Sequence, residues 1–497
     1  MSEKKKPNVI LIMADQFRYD MIGRHGNEAI STPTLNELVD QGVDFSNYYT
    51  ATPTCIPARA SLMSGLKQEN TGMVGYEEGA DWDFPHLLGE VFSERGYYAK
   101  AIGKLHVYPP RKLCGFHHVE LHDGYLHDAR DYSKSVRETY ERTDDYLIWL
   151  REQGKGSMDL TDTGLDCNSW VARPFMDEER LHPTNWLTDR GINFLDQRDP
   201  SLPFFLTLSY ARPHSPLDPP KAYFDQYYNQ LVDIPFPKIA DWAEELGFDH
   251  PVRKIDALSG RLNENDWRLM LAGYYGLISH IDHQINRFLM KLQEHGELEN
   301  SVILFLSDHG DQLGEHALFR KGYAYQGSIH IPLVVYDPGE HITDKENLRK
   351  TVDQIVEHRD ILPSLVDLIS GEKLDDVDGK SILPLMKKDE WEDTEWRESL
   401  HGEHVLAEFS NQFILRYPYK YIWHSQTGTE QFFDLKKDPT ELHDLMGDSD
   451  YAQKVKELKA ELIEKLKNRP EGFVKDNQLV PGQKQENLIY HQVKDKE

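Results

Sequence analysis

Short runs of apolar residues that end on a carboxylate constrain this chain more than any other feature. Val9 to Ala14 is followed by Asp15-Gln16, and Val302 to Leu306 by Ser307-Asp308-His309-Gly310-Asp311. An unbroken run of this length, rich in Val, Ile and Leu, is the pattern of a strand buried on both faces. Phe204 to Leu208 and Leu333 to Tyr336 read the same way. Helical patterns lie between them. The clearest places Tyr274, Leu277, Ile278, Ile281, Ile285, Phe288, Leu289 and Leu292 on one stripe closed by Gly296. Thr34 to Gln41, Phe84 to Arg95, Trp186 to Gln197 and Ile361 to Ile369 are the other candidates. Alternating elements of this kind predict an α/β fold: a large, mostly parallel or mixed central sheet flanked by helices.

The texture changes toward the C-terminus. Arg416 to Trp423 and Glu430 to Leu435 read as strands joined by the Gly-bearing connection Ser425 to Thr429, before a charged amphipathic helix near Tyr451 to Lys467. The charged segment Lys387 to Glu395 is a natural linker, so the expected organisation is a large α/β domain over 1–390 and a smaller α+β subdomain with an antiparallel sheet over 391–497.

Composition excludes several roles. With 56 Lys and Arg against 84 Asp and Glu, the net charge is −28, and no basic stripe appears beyond Lys4 to Lys6, so nucleic acid is not an expected partner. An anionic ligand must then be held by a local cluster of cations. Three cysteines without CxxC spacing disfavour a disulfide framework, and no run approaches the ~20 apolar residues that span a bilayer. The expectations are a cytoplasmic protein and no membrane partner.

A carboxylate at the end of a buried strand is costly to desolvate unless a cation meets it. Two such ends, Asp15 and Asp308, suggest a shared metal ion, although each taken singly could simply cap the helix that follows. A third element is Cys55-Ile56-Pro57-Ala58-Arg59, followed by Ser61-Leu62-Met63-Ser64-Gly65. Pro57 suits the first turn of a helix, which puts Cys55 at an N-terminus that favours anions.

Cys-x-Pro-x-Arg followed by Leu-x-Ser-Gly resembles the signature of formylglycine-dependent sulfatases, within the alkaline phosphatase superfamily. The likeness continues in Gly103-Lys104-Leu105-His106, in Pro213-His214-Ser215-Pro216, in Ser307 to His316, in Lys321-Gly322 and, near the C-terminus, in Phe433 to Pro439. The resemblance implies an alkaline phosphatase-like fold and a sulfuric ester hydrolase of the arylsulfatase type, acting on a small-molecule or saccharide sulfate ester. A separate maturation enzyme would oxidise Cys55 to formylglycine, whose hydrate is the nucleophile. It also implies metal ligation by Asp15, Asp308, His309 and residue 55. Position 16, where many relatives carry Asp, is Gln16 here, a ligand in doubt. Oxygen-rich ligation favours Ca²⁺, with Mg²⁺ or Mn²⁺ as alternatives.

By the same resemblance Arg59, Lys104 and Lys321 neutralise the sulfuryl oxygens, while His106 removes a proton from the sulfated diol and His214 protonates the departing oxygen, the reverse assignment of the two histidines being the alternative. His118, His122, Asn168 and Arg173 are expected to border the pocket, with Trp170 and His182 on the same stretch and His127 in the same histidine-rich segment; His280 and His283 are expected to be structural. The alternative substrate is a phosphonate or phosphate ester, and a third reading is a non-catalytic metal-binding protein.

Overall fold

The computed structural model describes residues 5–126, 143–155, 163–230, 234–406 and 409–489. Among these, eight strands form the central sheet: β1 (Asn8–Asp15), β2 (Val43–Phe45), β3 (Tyr98–Gly103), β4 (His118–Leu121), β5 (Phe204–Pro213), β6 (Ser301–Leu306), β7 (Leu333–Tyr336) and β8 (Thr351–Val352). Their order is β4-β3-β5-β1-β6-β7-β2-β8. The five strands from β4 to β6 pair in parallel, whereas β7 runs antiparallel to both its neighbours.

The period-two alternation of a strand explains why β1 must be apolar throughout. Ile10, Ile12 and Ala14 face one core, packed by helices α1 (Pro33–Gln41), α4 (Pro183–Gln197) and α5 (Glu264–Glu294). Val9, Leu11 and Met13 face the other, packed by α2 (Cys55–Ser64), α3 (Leu88–Glu94) and α6 (Ile361–Ser370). Helix α5 begins ten residues before its predicted stripe, capped by Asn263, whose side-chain oxygen accepts from the Asp266 amide at 3.0 Å. Helix α3 is shorter than the Phe84 to Arg95 pattern, because Phe84 precedes Pro85 and is biased to extended backbone.

Four further strands, β9 (Leu400–His404), β10 (Asn411–Arg416), β11 (Tyr419–His424) and β12 (Glu430–Asp434), make an antiparallel sheet in that order. Helix α7 (Ala452–Leu466) covers one face through Val455, Leu458 and Leu462 against Ile414, Tyr421 and Phe432. Phe413, Leu415, Ile422 and Phe433 on the other face pack against Tyr49, Trp242 and Tyr325 of the large domain. The Arg416 to Trp423 stretch is therefore not one strand: the chain reverses at Tyr417-Pro418, where proline has no N–H for the ladder.

The sheet's polar strand ends meet on one edge. Asp15 ends β1, Lys104 follows β3, His214 follows β5 and Asp308 lies two residues past β6. This is the edge where open α/β sheets bind ligands. Gly103 turns the chain into Lys104 with φ of +102°, and a Cβ there would lie 2.1 Å from the Ser209 carbonyl oxygen. Gly103→Ala is expected to cost roughly 2–4 kcal/mol, since backbone must move and the residue is left-handed; urea unfolding that matches the wild type would reject this view.

Candidate active site

Helix α2 is buried along its whole length and starts at Cys55. Its N-cap residue Thr54 makes no side-chain cap bond; the hydroxyl lies instead 3.0 Å from His404 Nε2 on β9. Arg59 lies one turn after Cys55 and so shares its face of the helix. Its Nε donates to Asp308 Oδ2 at 2.9 Å, and Nη1 to the Lys104 carbonyl at 2.7 Å and Ser209 Oγ at 3.0 Å. One guanidinium thus ties the ends of β3 and β6 and the middle of β5 to the Cys55 helix.

Asp15, Cys55, Asp308 and His309 each point a ligand atom into one space, all within 4.8 Å of one another. His309 Nε2 is 3.2 Å from Cys55 Sγ, 3.6 Å from Asp15 Oδ1 and 3.7 Å from Asp308 Oδ1. Two fully buried carboxylates beside an imidazole and a sulfur are a donor set suited to a divalent cation. Lys104 Nζ pairs with Asp15, and the Tyr125 hydroxyl donates to the same carboxylate at 3.2 Å. Burial works against ionisation of Asp15, but Lys104, His214, Lys321 and His309 outweigh it and hold the carboxyl well below its usual range. Burial and Asp15 likewise oppose the Cys55 thiolate, yet Lys104, Lys321 and His309 bring its pKa far down.

Gln16 departs from β1 with left-handed φ of 69° and is tied on three sides. Its amide N–H donates to Asp308 Oδ1 at 3.1 Å and its side-chain nitrogen to Asp311 Oδ2 at 2.5 Å. Lys321 Nζ donates to Gln16 Oε1 at 2.9 Å and to Cys55 Sγ at 3.4 Å. The side-chain oxygen is therefore oriented toward the cluster while the amide nitrogen points away.

The two histidines are prepared oppositely. Burial opposes protonation of His106, but the nearby Cys55 sulfur and Glu78, 3.0 Å from Nε2, push its pKa up to about 9. Burial, reinforced by Lys321, keeps His214 neutral; its Nδ1 lies 2.8 Å from the Ser215 carbonyl.

A cavity of about 350 Å³ opens onto Cys55, lined by His214, Lys321, Asn168, Arg320, Thr54 and His404 and walled by Tyr76, Leu126, Cys167, Leu258, Val405, Leu406 and Asn487. A larger cavity of about 640 Å³ lies elsewhere, between Arg18, Trp267 and Leu442. Of the expected bordering residues, Asn168 lines the Cys55 cavity and three do not. His118 is exposed on edge strand β4, beside Glu120. His122 is buried 2.9 Å from Asp144 among Tyr125, Tyr146 and Trp186. Arg173 is exposed and donates to the Thr163 carbonyl at 2.8 Å. A sheet edge, a buried pair with Asp144 and a surface hydrogen bond account for the positions of His118, His122 and Arg173 in turn. His182 caps α4, Trp170 stacks on Phe319, and His280 is buried against Asn185. His127 lies outside the described residues.

Tyr76, Glu78, Arg320 and His404 are site residues that sequence reasoning missed. Tyr125 lay within the histidine-rich segment, but Glu78 and His404 reach the site only by folding, and no local pattern marks them.

The sequence matches the Sulfatase family over residues 7–371 and the family described as N-sulphoglucosamine sulphohydrolase, C-terminal, over residues 314–468. An arylsulfatase of Clostridium perfringens (strain 13 / Type A) is 46% identical over 477 residues, 96% of this chain and 98% of its own. The multifunctional alkaline phosphatase superfamily protein PehA of Trinickia caryophylli is 30% identical over 495 residues, covering 91% and 93% of the two chains. Among solved structures, the phosphonate monoester hydrolase of Agrobacterium radiobacter superimposes with a TM-score of 0.72 at 26% identity, over 92% of this chain and 95% of that one.

Proposed function

This chain belongs to the sulfatase family, with an alkaline phosphatase-like fold, and hydrolyses sulfate esters; from that premise we propose that its nucleophile is the hydrate of a formylglycine made from Cys55, working beside a divalent metal ion. The observation that carries the proposal is the meeting of Asp15, Cys55, Asp308 and His309 within 4.8 Å, ringed by Lys104, Lys321 and Arg59.

A metal ion held by Asp15, Asp308, His309 and the Gln16 amide oxygen would supply charge neutralisation at the sulfuryl oxygens. Ca²⁺ fits best, because three of these four donors are hard oxygens, one each from Asp15, Asp308 and Gln16. Lys321 and Lys104 add positive charge around the same anion. One hydroxyl of the hydrated residue 55 attacks sulfur and loses its proton to solvent in the open cavity, and the bond from sulfur to the alcohol oxygen breaks with its electron pair leaving on that oxygen. Protonation of the departing oxygen falls to Lys321, which lines the same cavity as His214, because His214 is held neutral. The second hydroxyl then loses its proton to His106, the C–O bond to sulfate breaks, and the aldehyde returns. Of the two neighbours that raise the pKa of His106, the Cys55 sulfur has the larger effect and Glu78 the smaller. Oxidation of Cys55 removes that sulfur, which frees the imidazole to act as a base.

The substrate class that fits is an aryl or carbohydrate sulfate. The 26% identical phosphonate monoester hydrolase is the reason to test a second reading, a phosphonate or phosphate ester turned over by the same residues. Matured enzyme is expected to hydrolyse a nitrophenyl sulfate with higher kcat/KM than the matched phenylphosphonate ester; the reverse order would assign the phosphonate reading. Maturation needs a separate oxidising enzyme acting on the Cys55 segment, and a cytoplasmic setting belongs to the same proposal, supported by three buried cysteines that are free thiols.

Metal binding has a direct readout. An ion that binds only the folded cluster stabilises the fold by mass action, so Ca²⁺ at ~100 times its Kd is expected to add about 2.7 kcal/mol. The melting temperature should rise more with Ca²⁺ than with Mg²⁺ or Mn²⁺, and Asp308→Asn should abolish the rise. A melting curve unmoved by any of the three ions would sink the metal assignment.

A further inference from the structure

Buried guanidinium groups in this protein are paired with carboxylates: Arg18 with Asp20 and Glu315, Arg59 with Asp308, Arg212 with Asp218, and Arg469 with Glu403 and Glu471. Arg320 is different. It lines the Cys55 cavity, and among the described residues no carboxylate lies within ion-pair distance of it. Its Nη2 donates to the backbone oxygen of Asp256 at 2.7 Å, and its Nε is closed off from solvent with no hydrogen-bond partner. A shielded guanidinium N–H without an acceptor costs free energy unless something supplies one.

The backbone is shaped to aim this charge. In extended chain, consecutive side chains point to opposite sides. Arg320 instead has φ of 61°, a left-handed conformation that is uncommon for a non-glycine residue, and its amide N–H is pinned by Asp311 Oδ1 at 2.9 Å. Arg320 and Lys321 therefore both face the same cavity. Lys321 reaches Cys55 Sγ and Gln16, so it belongs to the end where the ester sulfate is cleaved. Asp311 and Asp256 act on this charge only from beyond ion-pair distance, and strain retained at a ligand cavity, with no ion pair to the guanidinium among the described residues, is what a binding function would maintain. Leu126, Leu258 and Leu406 supply apolar wall between the polar groups, and a cavity of about 350 Å³ takes roughly one ring.

We propose that Arg320 is a specificity-determining residue that binds a second anionic group on the leaving-group side, so that the preferred substrates are sulfate esters of a small cyclic body that also carries a carboxylate or a second sulfate. This rests on the sulfatase reading above and adds the substrate class. Guanidinium is the side chain best matched to a planar carboxylate or a sulfate through paired N–H groups.

Binding can be measured apart from turnover. The full chain with Cys55 unoxidised, in Ca²⁺, is titrated calorimetrically with benzenesulfonate, with 3- and 4-sulfobenzoate, and with 1,3- and 1,4-benzenedisulfonate. At least one dianion of each pair is expected to bind about tenfold tighter than benzenesulfonate; the sulfobenzoates and the disulfonates tell a carboxylate preference from a sulfate-like one. Arg320→Gln should bring that ratio close to one, and Arg320→Lys should restore part of it. Equal affinities in the wild type, which need no variant to fold, would overturn the proposal, as would a dianion preference undiminished in Arg320→Gln. If the preference holds but matured protein cleaves no aryl sulfate, the catalytic reading fails and the anion subsite stands.

Discussion

Cys55→Ala protein, made alongside the wild type in a host that matures sulfatases, releases sulfate from an aryl sulfate more slowly by roughly 10³-fold or more. The size follows from what the variant lacks. Lys104, Lys321 and Arg59 stay in place to bind the anion, but nothing at position 55 can form and then expel a covalent sulfate. Ala is a good helix former and Cys55 is the first residue of α2, so the variant keeps its fold and a melting temperature near that of the wild type. The matured wild-type peptide across residue 55 should be lighter than the encoded one by about 18 Da, the difference between a thiol side chain and an aldehyde. Sulfate release at the wild-type rate by the variant would remove residue 55 from the chemistry.

Arg59→Met is the second large effect, and it acts on both stability and activity. The Arg59 guanidinium is buried against Asp308 at 2.9 Å and lies 3.8 Å from Asp15. Burial opposes its charge, yet Asp308, followed by Asp15, raises its pKa above the usual arginine value. Methionine keeps much of the stem volume while removing the charge, which leaves Asp308 desolvated without its partner. Breaking a buried pair in this way costs about 3–5 kcal/mol. The loss should appear in urea unfolding without metal and shrink when Ca²⁺ is added, because the ion supplies positive charge at the same carboxylates. A variant as stable as the wild type without metal would show that Arg59 does not neutralise them. Activity should also fall, since Arg59 anchors the Lys104 backbone as well.

The chain's apolar runs made the core strands visible. Val9 to Ala14 and Val302 to Leu306 are interior strands whose two faces must both be apolar, so their pattern depends on burial alone. The strands at Tyr98–Gly103 and His118–Leu121 were not visible in the same way. Lys100 interrupts the first and Glu120 the second, and the two side chains form an ion pair across adjacent strands at the sheet edge. That compensation exists only after pairing. Histidines were misleading for a related reason: His118 and His122 sit close in sequence to the site, but strand β4 carries one to the edge and Asp144 holds the other in a buried pair.

Residue chemistry confined to a few positions, such as Cys55-x-Pro57-x-Arg59 at a helix start or a carboxylate ending an apolar strand, was determined by the sequence itself. It depends on local propensity and periodicity, which act over a few bonds. Which of those groups meet was decided by tertiary structure alone. Thr54 reaches His404 across 350 positions, Lys321 reaches Gln16 across 305, and among the described residues no carboxylate comes within ion-pair distance of Arg320. Electrostatic pairing falls off with distance through space, and that distance is set by how the sheet is ordered, a property no short stretch of chain contains.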